Sequence, residues 1–279
     1  MRYLQKRELG QRYSHKGLLF YVLIILSAGL TLYLFSIPDV SKLKKENPKK
    51  TSFMKYREKE WRRQGKRYRI QQKWVSLSHI SPYLKKAVLI AEDDKFWSHE
   101  GFDYEAIQKA IEKDIKSKKF KLGGSTISQQ LAKNLYLSPA KNPLRKIREA
   151  IITWRLERVL TKKRILELYL NVAEWGDRGI FGIGAASRHY YGKLASELNP
   201  EEASRLASVL PNPRKYNPLG DSRYVRHRSN LIYSIMVRRG IVVPEYEEVI
   251  EEDEKNDQLE TPPETPPETP IKPEEPQTQ

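Results

Sequence analysis

Residues Gly123–Asn134 read GGSTISQQLAKN, and the period of that stretch decides the fold class of the chain around it. At 100° per residue, Ser125, Thr126, Gln129 and Lys133 share about 100° of arc, while Ile127, Leu131 and Leu135 lie opposite. The stretch reads as an amphipathic helix whose polar face carries uncharged hydrogen-bonding groups and one lysine. Surface helices usually present Glu and Lys there; Ser, Thr and paired Gln suit a sugar or an amide better. Gly123 and Gly124 let the backbone approach closely, and the helix N-terminus offers amide donors to an anion. The bland reading is a Gly-Gly hinge before an ordinary capped helix. A Walker A loop is excluded, because no strand precedes the glycines and no Gly-Lys-Ser/Thr closes them. On the polar face Gln129 is central, with Ser125 and Lys133, and Gln130 lies at the edge.

The same helical logic extends outward. Ser81-Pro82 reads as an N-cap with Pro at the first helical position, and Leu84, Val88 and Ala91 follow on one face. Asp103 caps a stripe of Ile107, Ala110, Ile111 and Ile115; Leu144, Ile147, Ile151 and Trp154 form another. Thr161 caps a further helix. Asn199-Pro200-Glu201-Glu202 is a strong helix start, and Gly240 after Arg238 and Arg239 a matching stop. No stretch sustains strand alternation, so the body from 75 to 240 is expected to be mainly α.

Charge divides the chain. From Ile241 to the end, 13 acidic residues face 2 basic ones, whereas the first 240 residues hold 49 basic against 22 acidic, a net of +27. The acidic part contains TPPETPPETP and is expected to be a disordered tail, 241–279. A body so basic is expected to meet polyanions: nucleic acid, anionic headgroups or phosphorylated substrates. There is no cysteine, which excludes disulfides and thiolate metal sites. Gly17–Ile37 runs 21 positions without a charge, enough for one helical span, with Tyr21, Tyr33 and Phe35 toward its ends. It is longer than a signal-peptide core and no small-x-small cleavage site follows, so it reads as an uncleaved anchor. Residues 1–16 then form a leader and 38–74 a highly charged juxtamembrane connector. Basic residues flank the span on both sides and leave topology open by charge; the short leader favours an inward N-terminus and an outward-facing body.

Three further segments could carry chemistry. EDDKFWSHEGFD, Glu92–Asp103, crowds three consecutive acids, an aromatic pair, a histidine and a glycine into one inter-helix connection, where catalytic groups tend to sit. Glu92 directly follows the apolar stripe, and partial desolvation there would raise its pKa toward a general base. Alternatively, the acids are solvated at a helix end and His99 is structural. In NPLRKIREAIITWRLE, Asn142–Glu157, Arg145, Arg148 and Arg155 line the face opposite the apolar stripe. Arg145–Glu149 is either an ordinary i,i+4 pair or part of a phosphate-binding arginine row in which Glu149 holds the arginines or takes part itself. In ILELYLNVAEWGDRGIFGIGAASRHYYGK, Gly176, Gly179, Gly182 and Gly184 suggest a close-packed loop.

Taken in order, and with RLASVLPNPRKYNP (205–218), these segments resemble the peptidoglycan glycosyltransferases of glycosyltransferase family 51. Glu92–Asp103 fits the family's E-D-x-x-F-x-x-H-x-G, and Gly123–Asn134 fits G-G-S-T-I-[ST]-Q-Q-x-x-K-N, with every fixed position present. No K-T-G follows downstream, and NVAEWGDRGIFGIGAASRHYYGK is similar to the stand-alone, monofunctional branch. The resemblance implies a lysozyme-like helical domain, with a large lobe and a small membrane-proximal jaw lobe, preceded by one transmembrane helix at the cytoplasmic (inner) membrane. It implies polymerisation of lipid II into glycan strands with inversion. Glu92 would be the catalytic base, and Glu149 the second glutamate, near the departing pyrophosphate. Ser125, Thr126, Gln129, Gln130, Lys133, Asn134, Arg145 and Arg148 would meet the donor's sugar-phosphate, while Phe96 and His99 would shape the site. Implied partners are lipid II, the growing strand, the membrane and other cell-wall synthesis and division proteins, with no nucleic acid. No dedicated metal-ligand cluster is legible, so any Mg²⁺ or other divalent cation would bridge substrate phosphates. The competing readings are a membrane-anchored lysozyme-like hydrolase or lytic enzyme, and a tethered binder of nucleic acid or anionic lipid without catalysis.

Overall fold

The computed structural model describes residues 17–25, 27–29, 33, 37–117, 124–139 and 143–243. The expected leader, Gly123, and the expected tail from residue 244 onward lie outside them. Of the expected anchor, residues 17–25 and 27–29 are helical, and the side chains from Leu18 to Ile25 are exposed. Residues 26, 30–32 and 34–36 lie outside the described residues. Among the described residues no helix is long and apolar enough to cross a membrane.

The chain divides into two compact units, Met1–Met236 and Val237–Gln279. The first holds α1 (Ser52–Arg63), α2 (Pro82–Glu92), α3 (Tyr104–Ser117), α4 (Ile127–Tyr136), α5 (Pro143–Val159), α6 (Lys162–Val172), α7 (Ile183–Tyr191) and α8 (Pro200–Val209). Most of α9 (Arg223–Arg238) completes it. In the second unit the described residues end that helix, and Gly240 turns left-handed at φ 64°.

The expected caps form where the sequence places them. Asp103 Oδ1 accepts from Ala106 N at 2.9 Å, Thr161 Oγ1 from Arg164 N at 3.2 Å, and Asn199 shares a capping box with Glu202. Ser81 differs. It stands before Pro82 as expected, but its hydroxyl donates to Leu198 O at 2.7 Å and ties the start of α2 to the entry of α8. These two helices pack along their lengths. The GGST helix is the centre of the unit: α4 packs against α1, α5 and α6, and Ile127, Leu131 and Leu135 are buried.

The segment 38–74, expected to be a connector, is folded onto the body. Thr51 caps α1, and Met54 and Trp61 pack on Phe181 with Tyr68 and Ile70 alongside. Burial of such side chains contributes about 1.5–3 kcal/mol each, enough to hold a helix whose other faces are charged. Arg57 adds a bidentate clamp, Nη2 and Nε lying 2.7 and 2.9 Å from the Glu174 carboxylate. A small sheet, unforeseen because its strands are only two or three residues long, finishes the attachment. β1 (Gln71–Gln72) runs parallel to β3 (Ile180–Phe181), which pairs antiparallel with β2 (Glu174–Gly176).

The glycine-rich passage allows this close approach. Gly179 and Gly182 have φ of 92° and 75°, and a Cβ would stand 2.3 Å from Arg69 O at the first and 2.5 Å from Asn171 O at the second. Gly182→Ala is therefore expected to combine left-handed strain with a backbone clash and to cost about 3 kcal/mol. Thermal unfolding checks this: a melting temperature lower by roughly 10 °C is the expected result, and an unchanged one would contradict the packing described.

One helix is turned relative to expectation. On α5 the stripe Leu144, Ile147 and Trp154 faces outward, at 63%, 53% and 52% exposure. Glu149, Ile152, Thr153 and Leu156 are the buried face. The inward orientation of Glu149 is tolerable because Arg145 Nη1, at 2.7 Å, and Lys146 Nζ bind its two oxygens.

Candidate active site

Glu92 ends α2, with its side chain against α4 and α9. Its Oε2 accepts a hydrogen bond from Gln130 Nε2 at 2.9 Å. The amide of Gln130 is oriented from behind, since the buried Tyr169 hydroxyl of α6 donates to Gln130 Oε1 at 3.1 Å. Glu92 Oε1 is buried and has no hydrogen-bond partner, although Arg228 Nη2 stands 3.5 Å away. Burial pushes the Glu92 carboxyl above the ordinary value and neighbouring Asp93 acts in the same direction; the Gln130 N–H and the charges of Arg228 and Lys133 oppose it. The result is a carboxylate with one oxygen anchored and one without a hydrogen-bond partner.

Glu92 lines a cavity of about 650 Å³, whose other walls include Ser125, Thr126, Gln130, Lys133 and Arg228. A second cavity of about 170 Å³ shares Gln130 and Lys133 with it and adds Asn134. Lys133 is common to both. Burial and the nearby Arg145 and Lys146 charges lower its pKa, while Glu149 and Glu92 raise it.

The sequence placed Ser125, Thr126, Gln129 and Lys133 on one helical face by a wheel started at Ser125, and the fold redistributes them. α4 begins at Ile127, with Thr126 as N-cap. Ser125 therefore precedes the helix and reaches the cavity from the loop. Gln129 becomes the third helical residue, and its Oε1 accepts from Thr126 N at 3.0 Å in a capping box. It is buried in that cap and does not line the cavity, while Gln130 touches the candidate base. The sequence ranked the two glutamines the other way round, because the wheel took no account of the cap.

Phe96 and His99 brace the loop. His99 Nδ1 accepts from Gly101 N at 3.0 Å, so the proton on Nε2 is donated to Asp93, at 2.9 Å from Oδ1. Asp93 Oδ2 also accepts from Ile127 N at 2.9 Å, and Thr126 Oγ1 donates to Gly101 O at 2.7 Å. The EDD loop and the start of α4 are thus one unit. Phe96 is wholly buried beneath it, with Lys162 Nζ 4.5 Å from its ring centre. Neither Phe96 nor His99 lines either of these two cavities. Arg145 and Arg148 are half-buried on α5, and Glu149 is enclosed by Arg145 and Lys146. Sequence reasoning missed Asp93, Tyr169 and Arg228. Asp93 stood in plain view among three acids; Tyr169 and Arg228 reach the site from helices whose sequence shows only apolar or basic patterning.

A family model described as transglycosylase matches residues 58–237. A protein of Dechloromonas aromatica named biosynthetic peptidoglycan transglycosylase is 55% identical over 171 residues, 61% of this chain and 74% of that protein. Proteins of the same name are each 47% identical in Nitrosospira multiformis, over 70% of this chain and 84% of the relative, and in Aromatoleum aromaticum, over 76% and 94%. The chain belongs to the transglycosylase family, the peptidoglycan glycosyltransferases that its motif segments resemble.

Proposed function

We propose that this enzyme polymerises lipid II, joining disaccharide units through β-1,4 bonds with inversion at the anomeric carbon and release of undecaprenyl diphosphate. One observation carries the reading: a buried carboxylate, held at one oxygen by Gln130 and without a hydrogen-bond partner at the other, belongs to a residue in the wall of a roomy cavity that Ser125, Gln130, Lys133 and Arg228 also line. The acceptor's GlcNAc 4-hydroxyl oxygen attacks the donor's anomeric carbon, and its proton passes to Glu92 Oε1. The bond from that carbon to the diphosphate oxygen breaks, and the diphosphate leaves with the electron pair. Lys133, with Arg145 and Arg148 behind it, offers positive charge to the departing group. Glu149 acts by holding Arg145 and Lys146 in place. Ser125, Thr126, Gln130 and Asn134 are the polar groups facing sugar.

The helical body supports a lysozyme-like domain. A bilayer as the working surface is supported by the uncharged run Gly17–Ile37, by the exposed apolar face of α5, and by Tyr33, whose hydroxyl donates to Leu144 O at 3.1 Å. The catalytic body would then lie on the outer face of the membrane, beside its lipid-borne substrate. In full-length protein reconstituted into vesicles with brominated acyl chains, tryptophan fluorescence should be quenched, and Trp154→Phe should remove most of that quenching. Equal quenching in both proteins would place α5 outside the lipid. Among the described residues no three His, Asp or Glu side chains gather to hold a metal. A divalent cation would arrive on the substrate phosphates.

The polymerase reading is tested by incubating the full-length protein with labelled lipid II. The expected product is a long glycan that a muramidase degrades to disaccharide units. A raised carboxyl pKa also suits the acid of a lytic enzyme. Release of soluble muropeptides from purified walls, without polymer from lipid II, would favour that second reading.

A further inference from the structure

Arg228 lies on α9, and two of its contacts converge on the end of α2. Its Nη2 donates to Ala91 O at 2.9 Å and stands 3.5 Å from Glu92 Oε1. The first contact fixes the guanidinium to the backbone one residue before the candidate base. The second is close enough for charge to act and too long for a good hydrogen bond, so the lone pair that must take a proton stays open. Arg228 also lines the larger cavity.

We infer that Arg228 is a positioning residue for the proton transfer: anchored on Ala91 O, it holds the Glu92 carboxylate in place and ionised without occupying its reactive oxygen. The inference rests on the reading of Glu92 as the base. Other groups facing Glu92 cannot replace Arg228. Asp93, beside it, is an anion; Tyr169 of α6 and Tyr224 of α9 have phenols that burial keeps protonated. Lys133 of α4 is a cation, but it is shared with Glu149. Arg228 is the cation whose position is set by the base's own backbone.

The sign of the effect follows. The base works ionised, and a cation within about 4–6 Å lowers a carboxyl pKa. Loss of that charge raises the Glu92 pKa, so less of the base is ionised at a given acidic pH. The acid limb of kcat/KM, which reports the free enzyme's base, moves to higher pH.

The test is the pH profile of lipid II polymerisation by full-length wild type, Arg228→Gln, Arg228→Met and Arg228→Lys, with Glu92→Gln alongside. Both neutral variants should move the acid limb upward by about 1 pH unit, while the lysine variant keeps the limb and loses rate through poorer geometry. Two neutral variants with different side chains guard against a folding defect in either one, which thermal melting will show. A limb unmoved in both, or a rate loss without any shift, overturns the inference if Glu92→Gln is inactive. If Glu92→Gln polymerises normally, the reading of the base itself fails.

Discussion

Glu92→Gln should lower lipid II polymerisation by about 10²–10⁴-fold, the range a positioned general base supplies, while the protein melts at its usual temperature. The substitution is nearly isosteric, and Gln130 Nε2 can still donate to the new amide oxygen. The partnerless position at Oε1 becomes either an NH₂ group or an oxygen without basicity, and neither takes a proton. The loss should fall on kcat and kcat/KM alike, because proton removal belongs to the transition state. Steady-state rates with labelled lipid II, together with a melting curve, check it. A loss confined to KM would mean that Glu92 binds substrate and a different group removes the proton.

The second large effect is expected at Lys133. Lys133→Met keeps most of the buried stem and removes the ammonium shared by the two cavities. Charge stabilisation at a leaving group is commonly worth about 10²–10³-fold in kcat, and a loss of that size is expected here. The structural cost should be small, since burial already disfavours the charge of Lys133 and methionine tolerates the space. The melting temperature should hold or rise. A variant that retains wild-type kcat would assign the diphosphate to the arginines of α5 instead.

Local signals in the chain were reliable where one rule acted alone. The starts of α3, α6 and α8 are legible because a cap residue precedes an apolar period and nothing competes for it; that of α2 is legible from Pro82 at its first position, although Leu198 O takes the Ser81 hydroxyl. The raised carboxyl of Glu92 was legible for a similar reason: it follows a buried stripe directly, and burial is what perturbs it. Errors arose where two rules met. Thr126 and Gln129 form a capping box, which consumed a glutamine that the wheel assigned to ligand. α5 carries an apolar stripe and a charged face, and periodicity alone cannot say which turns inward; the ion pairs of Glu149 settled it. Residues 38–74 read as a connector because charge dominates them, yet Met54 and Trp61, with the Arg57 clamp and β1, dock the segment. Arg228 could not be found from sequence at all, since its importance lies in a carbonyl 137 positions away.

The central claim is that Glu92 itself accepts the proton of the attacking hydroxyl. The most direct measurement is a titration of its carboxyl by infrared difference between wild type and Glu92→Gln, set beside the acid limb of kcat/KM for lipid II. The account predicts one titration above the ordinary glutamate value, coincident with the limb and absent from the variant. A limb at a different pH from the Glu92 titration would contradict it.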